Sequence, residues 1–184
     1  MDIRGLADLV VRMSEDRLRA QLRLVRVRYY NALPNLHAAL GLPRADLETG
    51  SIVLDDTQRK LVTLSQKSFP FYDSLSFHDL VEYRLGDIVR HEGSDPRQEG
   101  VDVRIATDLV VGAFRNHYDV AVLVSGDSDL EEAVAVAHDE GKVVVNCFLR
   151  HGWAQNLRRA ADVRILLAED DLIELQPRKQ SGAS

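Results

Sequence analysis

Short apolar runs alternate with stretches of helical period through the second half of this chain, and the first half is less regular. Residues 3–20 read as an amphipathic helix, with Ile3, Leu6, Leu9, Val10 and Met13 near helical spacing. Leu24 to Tyr30 reads as a strand, because Val25, Val27 and Tyr29 alternate with Arg26 and Arg28. Pro34, Gly41, Pro43 and Gly50 break up residues 33–54. Asp56 to Lys67 is a predicted helix, Leu80 to Arg90 a strand, and His91 to Gly100 a polar loop.

After that the pattern is cleaner. Asp102 can cap a helix running to about Asn116, with Ile105, Leu109 and Ala113 on one stripe. Strand 119–124 follows, then a helix from Asp129 to about Glu140. Its buried stripe is Leu130, Ala133, Val134 and Ala137, and Gly141 suits the C′ position. Lys142 to Leu149 is a near-continuous apolar strand, Trp153 to Ala161 a short helix, and Val163 to Leu167 a last strand. Strands alternating with helices imply right-handed crossovers, an α/β fold and a mostly parallel sheet. The pattern predicts one domain over 1–175, with a poorly defined insertion at about 33–78 and a frayed tail at 176–184.

The 184 residues suffice for one domain with a substantial core, and 45% hydrophobic with 28% charged content is that of an ordinary globular protein. No stretch approaches the roughly 20 apolar residues needed to cross a membrane, and Met1 to Gly5 lacks a signal-peptide core, so the expected location is cytoplasmic. One cysteine, Cys147, excludes a disulfide framework and a cysteine-based zinc site; inside an apolar strand it behaves as a small buried hydrophobe. A net charge of −6 argues against a globally basic nucleic-acid binder, although Arg158 and Arg159 form a local basic pair.

The chemistry concentrates in Ser125-Gly126-Asp127-Ser128-Asp129, directly after the apolar run 120–124. Open α/β sheets build their sites where a strand ends in such a turn and a helix begins. Asp127 there can hold Mg²⁺ or Mn²⁺, which prefer oxygen ligands and keep several waters; its structural alternative is a turn or cap role. Ser128 to Glu131 matches the S-x-x-E capping box, in which Asp129 merely favours the helix dipole; otherwise Asp129 is a second ligand or orients water. Asp102 and Asp108 are six residues apart, so a helix cannot place them on one face. Asp102 has an N-cap alternative, and Asp108 could pair with Arg104 four residues earlier. His37, His78, His91, His117, His138 and His151 show no metal-ligand spacing. Trp153, Leu157 and Ala161 read as a core stripe, and Arg158 with Arg159 as a solvated face unless they meet phosphate.

These residues resemble a known family. Glu99-Gly100-Val101-Asp102-Val103 through Asp108 looks like a "KGVDV…D" segment, and Leu123-Val124-Ser125-Gly126-Asp127-Ser128-Asp129-Leu130 looks like "LVSGDSDF". Gly141-Lys142-Val143-Val144 and Leu157-Arg158-Arg159-Ala160-Ala161-Asp162 resemble its later "GKxV" and "LrxaAD" pieces. The family is the NYN domain (the LabA-like group), related to PIN-domain nucleases, and the likeness spans about residues 97–167. It implies a Rossmann-like, three-layer α/β/α fold and a Mg²⁺- or Mn²⁺-dependent ribonuclease. Asp127, Asp108 and Asp129 would be catalytic and metal-binding, Asp102 a ligand or cap, and Ser125, Gly126 and Ser128 the site loop. Single-stranded RNA would be the partner, with Arg158 and Arg159 as contacts, alongside a homodimer or protein partner. A non-catalytic RNA- or protein-binding module is the alternative. Leu130 replaces the family's phenylalanine, and Glu99 stands where lysine is typical. The family's opening strand, ending in Asp-x-x-Asn, has no counterpart before Val25. Its loss would leave unpaired buried groups at about 1–3 kcal/mol each. The expectation is an N-terminally shortened frame, or a slot filled by a partner chain or by the N-terminal segment refolded as a strand.

Overall fold

The computed structural model describes residues 2–34, 55–89, 97–150, 155–173 and 175. The chain divides into two compact units, Met1–Val27 with Ile105–Ser184, and Arg28–Arg104. His37, His91, His151, Trp153 and the 176–184 tail lie outside the described residues, as does most of the irregular stretch at 33–54.

The first unit is built on a parallel sheet, order β4-β5-β6, from strands Val120–Val124, Val143–Leu149 and Val163–Leu167. Its strands are apolar on both faces because helices cover both. On one face lies α1 (Ile3–Leu18), whose Val10 packs with Val145, Cys147, Ile165 and Leu167. On the other, α3 (Val101–Phe114) contributes Leu109 and Ala113, α4 (Glu131–Asp139) Ala133, Val134 and Ala137, and α5 (Gln155–Ala160) Leu157, around Val144. The three-layer α/β arrangement and parallel register agree with the pattern of the sequence. A short helix, α6 (Glu169–Ile173), was not expected.

Local chemistry explains the ends of α1. Asp2 accepts from Gly5 N at 2.9 Å, and Arg19 closes the helix in the left-handed region at φ 53°. Residues 3–18 are therefore helical, and the idea that the N-terminal segment supplies a strand is set aside. Gly141, at φ 73°, ends the turn after α4 where a side chain would be strained.

The second unit holds a sheet of order β1-β2-β3, from Val27–Pro34, Val81–Val89 and Arg97–Glu99, with α2 (Asp56–Ser76). Here β2 and β3 pair antiparallel, Ile88 opposite Gln98, so residues 97–99 of the anticipated loop are a strand. Strand β1 starts at Val27 rather than Leu24, leaving Val25 46% exposed; alternation alone does not set the ends of a strand, pairing with β2 does. Helix α2 starts at an Asp55–Gln58 capping box and runs beyond Lys67, straight through Pro70. Proline normally ends a helix. Here the extra turns bury Tyr72 and Leu75, both 3% exposed, and packing outweighs the lost hydrogen bond.

Candidate metal-binding turn

The turn after β4 is held on three sides. Ser125 N donates to Cys147 O at 3.1 Å, extending the β4–β5 ladder one residue past the strand. Asn146, in the middle of β5 and 1% exposed, sends Nδ2 to Ser125 O at 2.9 Å and Leu123 O at 3.3 Å. Asp127 N then donates to Ser125 Oγ at 3.1 Å. A buried amide costs free energy unless it is bonded. Asn146 satisfies its amide on one carbonyl of β4 and one of the turn, and so ties the loop to the sheet.

Asp127 is half-buried and caps a single 3₁₀ turn, Ser128–Leu130: its Oδ1 accepts from Asp129 N at 3.0 Å. The capping box expected at Ser128 does not form. Helix α4 starts at Glu131, its N-cap is Leu130, and no side chain caps it. The 3₁₀ turn shifts the cap one residue earlier, to the side chain in extended conformation at φ −86°, ψ 124°. Asp127 therefore fills the cap role and keeps acceptor capacity, since a carboxylate has two oxygens and only Oδ1 accepts the Asp129 amide. Asp129 is exposed at the same turn.

The other acids stand apart by chain position. Asp108 is half-buried in α3. Asp102 is exposed in the first turn of the same helix, which begins at Val101, so it complements the helix dipole rather than capping it. Among the described residues no group of three His, Cys, Asp or Glu side chains is arranged to hold a metal ion. The structure brings Asp127 and Asp129 together at one turn, and Asp108 does not complete a three-ligand group with them. The oxygen-only donors fit a hydrated ion held through one or two carboxylates, which is how Mg²⁺ is usually bound, and not a closed cage.

The basic pair separates. Arg158 is half-buried with its guanidinium 4.9 Å from the Phe148 ring centre, a cation–π contact, whereas Arg159 is exposed. Leu157 and Ala161 are core, as the stripe implied. Cys147 is fully buried, and burial pushes its thiol up to about 12.

Several residues of the motifs prove architectural. Lys142, 9% exposed, binds Asn116 Oδ1 and lies 4.0 Å from Asp119 Oδ1, pinning the turn between α3 and β4. Asp162 accepts from Val144 N at 2.8 Å through Oδ2 and lies 3.6 Å from His138 Nε2 through Oδ1. In the sequence Asn146 falls within a near-continuous apolar run. The signal was present: one amide in an otherwise apolar parallel strand.

No helix among the described residues is long and apolar enough to cross a membrane. A comparison with curated proteins returns no match. Among solved structures, the chain is similar to the crystal structure of a protein of unknown function, VPA0982 from Vibrio parahaemolyticus RIMD 2210633. The likeness is 20% identity over 82% of this chain and 98% of that one, with a TM-score of 0.48. The NYN domain family model matches residues 16–168. That match takes in the turn at Asp127, the helix of Asp108 and the architectural Lys142 and Asp162, and the chain belongs to the NYN domain family.

Proposed function

We propose that this chain is a metal-dependent ribonuclease that cleaves RNA phosphodiester bonds at the turn following β4. The observation that carries the reading is the Asp127–Asp129 turn, held by Asn146 at the carboxyl end of a parallel strand, in a family whose members are generally nucleases of PIN-like descent. Asp127 is the first ligand, Asp108 the second, and Asp129 a ligand or the group that orients water. Mg²⁺ or Mn²⁺, when bound, would supply positive charge to the phosphate and acidify water. The residues' own contribution is order. The Asp129 amide fixes one oxygen of Asp127, and the bonds to Ser125 and Leu123 keep the loop from drifting. Arg159, exposed, is the better placed of the two arginines to meet phosphate, since Arg158 is engaged with Phe148. Single-stranded RNA is the expected substrate, and the cytoplasm the expected location.

A second reading is favoured by one observation, that no three ligating side chains converge among the described residues. It is a non-catalytic module that binds RNA or protein, alone or as a homodimer, on the retained fold. The test incubates labelled single-stranded RNA with the purified chain and Mn²⁺, alongside Asp127→Asn. Cleavage by the parent that disappears in the variant is the expected result. Equal inactivity of both with RNA binding intact would overturn the nuclease reading in favour of the module.

A further inference from the structure

The second unit carries a run of contacting aromatic rings that joins α2 to its sheet. Tyr29 meets Phe71 edge-on at 5.4 Å between ring centres, Phe71 meets Tyr72 at 5.3 Å, and Tyr72 meets Tyr83 at 5.3 Å with the rings inclined by 53°. Tyr29, Phe71 and Tyr72 explain how α2 is held on the sheet. They do not explain the outer rim. Phe69 is 58% exposed and Tyr83 40% exposed, and together with Tyr72, Pro70 and Asp73 they line an open groove of about 440 Å³.

The lining has a definite electrostatic character. Aromatic faces carry negative quadrupole density and attract cations. Among the described residues of the lining the one charged side chain, Asp73, is an exposed acid. A phosphate would meet that carboxylate with like charge. A positively charged head flanked by apolar stem would meet aromatic faces, a carboxylate and the apolar Pro70 ring together.

We propose that this groove binds an organic cation, an alkylammonium or guanidinium head group, with Tyr72, Tyr83 and Phe69 as an aromatic cage and Asp73 as its counter-charge. The head group is either a free small molecule or the side chain of a basic peptide. The site lies in the Arg28–Arg104 unit and stands independently of the nuclease reading.

The full chain with ¹³C-labelled tyrosine and phenylalanine rings is titrated with choline, a trimethyllysine peptide, arginine, the neutral choline isostere 3,3-dimethylbutanol and oligouridine, following ring shifts by NMR. Saturable shifts are expected with at least one cation, about tenfold weaker for the neutral isostere and about tenfold weaker again in Asp73→Asn. The relative affinities of choline and the peptide identify the source of the cation. Tyr83→Leu is expected to abolish the response while Tyr29 keeps its native shift; if that variant fails to fold, Asp73→Asn, at an exposed position, decides the matter. Equal affinity for the neutral isostere, shifts produced by oligouridine and not by the cations, or no saturable shift with any cation would each overturn the proposal.

Discussion

The side-chain amide of Asn146 grips the main chain of Ser125 across the β4–β5 boundary, Nδ2 to O at 2.9 Å, with a second contact to Leu123 O at 3.3 Å. One buried residue on the neighbouring strand thus sets the position of the turn that carries Asp127. Asn146→Leu removes the donor and leaves the Leu123 and Ser125 carbonyls without it. The expected loss of stability is about 1–3 kcal/mol, measured as a lowered urea midpoint. Mn²⁺-dependent RNA cleavage should fall as well, since the turn loses its Asn146 tie and keeps only the bonds from Ser125 N and Asp127 N.

Asp127 has two separable duties. Asn can cap nearly as well as Asp, so Asp127→Asn should change stability little, whereas Asp127→Ala should cost about 1 kcal/mol. Both remove the carboxylate and should abolish cleavage. Thermal melts read beside the RNA assay check this; activity in either variant would remove Asp127 from the chemistry.

Tyr118 stands against Gly112, where an added Cβ would lie 2.7 Å from ring atom Cε1. The ring cannot easily swing away, because its hydroxyl donates to Leu109 O at 2.7 Å. Gly112→Ala should therefore destabilise the fold through overpacking, by about 1–3 kcal/mol, despite alanine's better helix propensity. Paired denaturation curves for parent and variant test the sign.

Burial raises the Cys147 thiol from an ordinary 9.0 to about 12 and the Tyr118 phenol from 10.0 to about 12. On unfolding both return to ordinary values. Between about pH 9 and about pH 12 the unfolded chain then binds fewer protons than the folded one, so stability falls as pH rises. The contribution is complete below about pH 9 and lost on passing through about 12. Urea midpoints should decline steadily above pH 9, and Cys147→Ala should make that decline shallower. Native Cys147 should also resist alkylation at pH 8 and react freely in urea, since the thiolate is the nucleophile.

Much of this protein was legible in its residues. Helix α1, the apolar strands β4, β5 and β6, the glycine stop at Gly141 and the turn at Ser125–Asp129 all follow from local signals: periodicity, turn chemistry and caps. Such signals act between near neighbours in the chain, so they survive without knowledge of the fold. What they leave undecided depends on which groups meet across the sheet. Helix α2 crosses Pro70 because Tyr72 and Leu75 find a surface to pack on. Strand β1 begins late because β2 sets where pairing is possible. Asp127 takes the cap from Ser128 because a 3₁₀ turn precedes α4. Asn146 became a clamp only when β5 was laid beside β4, placing its amide against two carbonyls. Local residue patterns set strands β4, β5 and β6 and the place of the acidic turn; the fold set the Asn146 clamp on that turn, because its bonds join residues more than twenty positions apart.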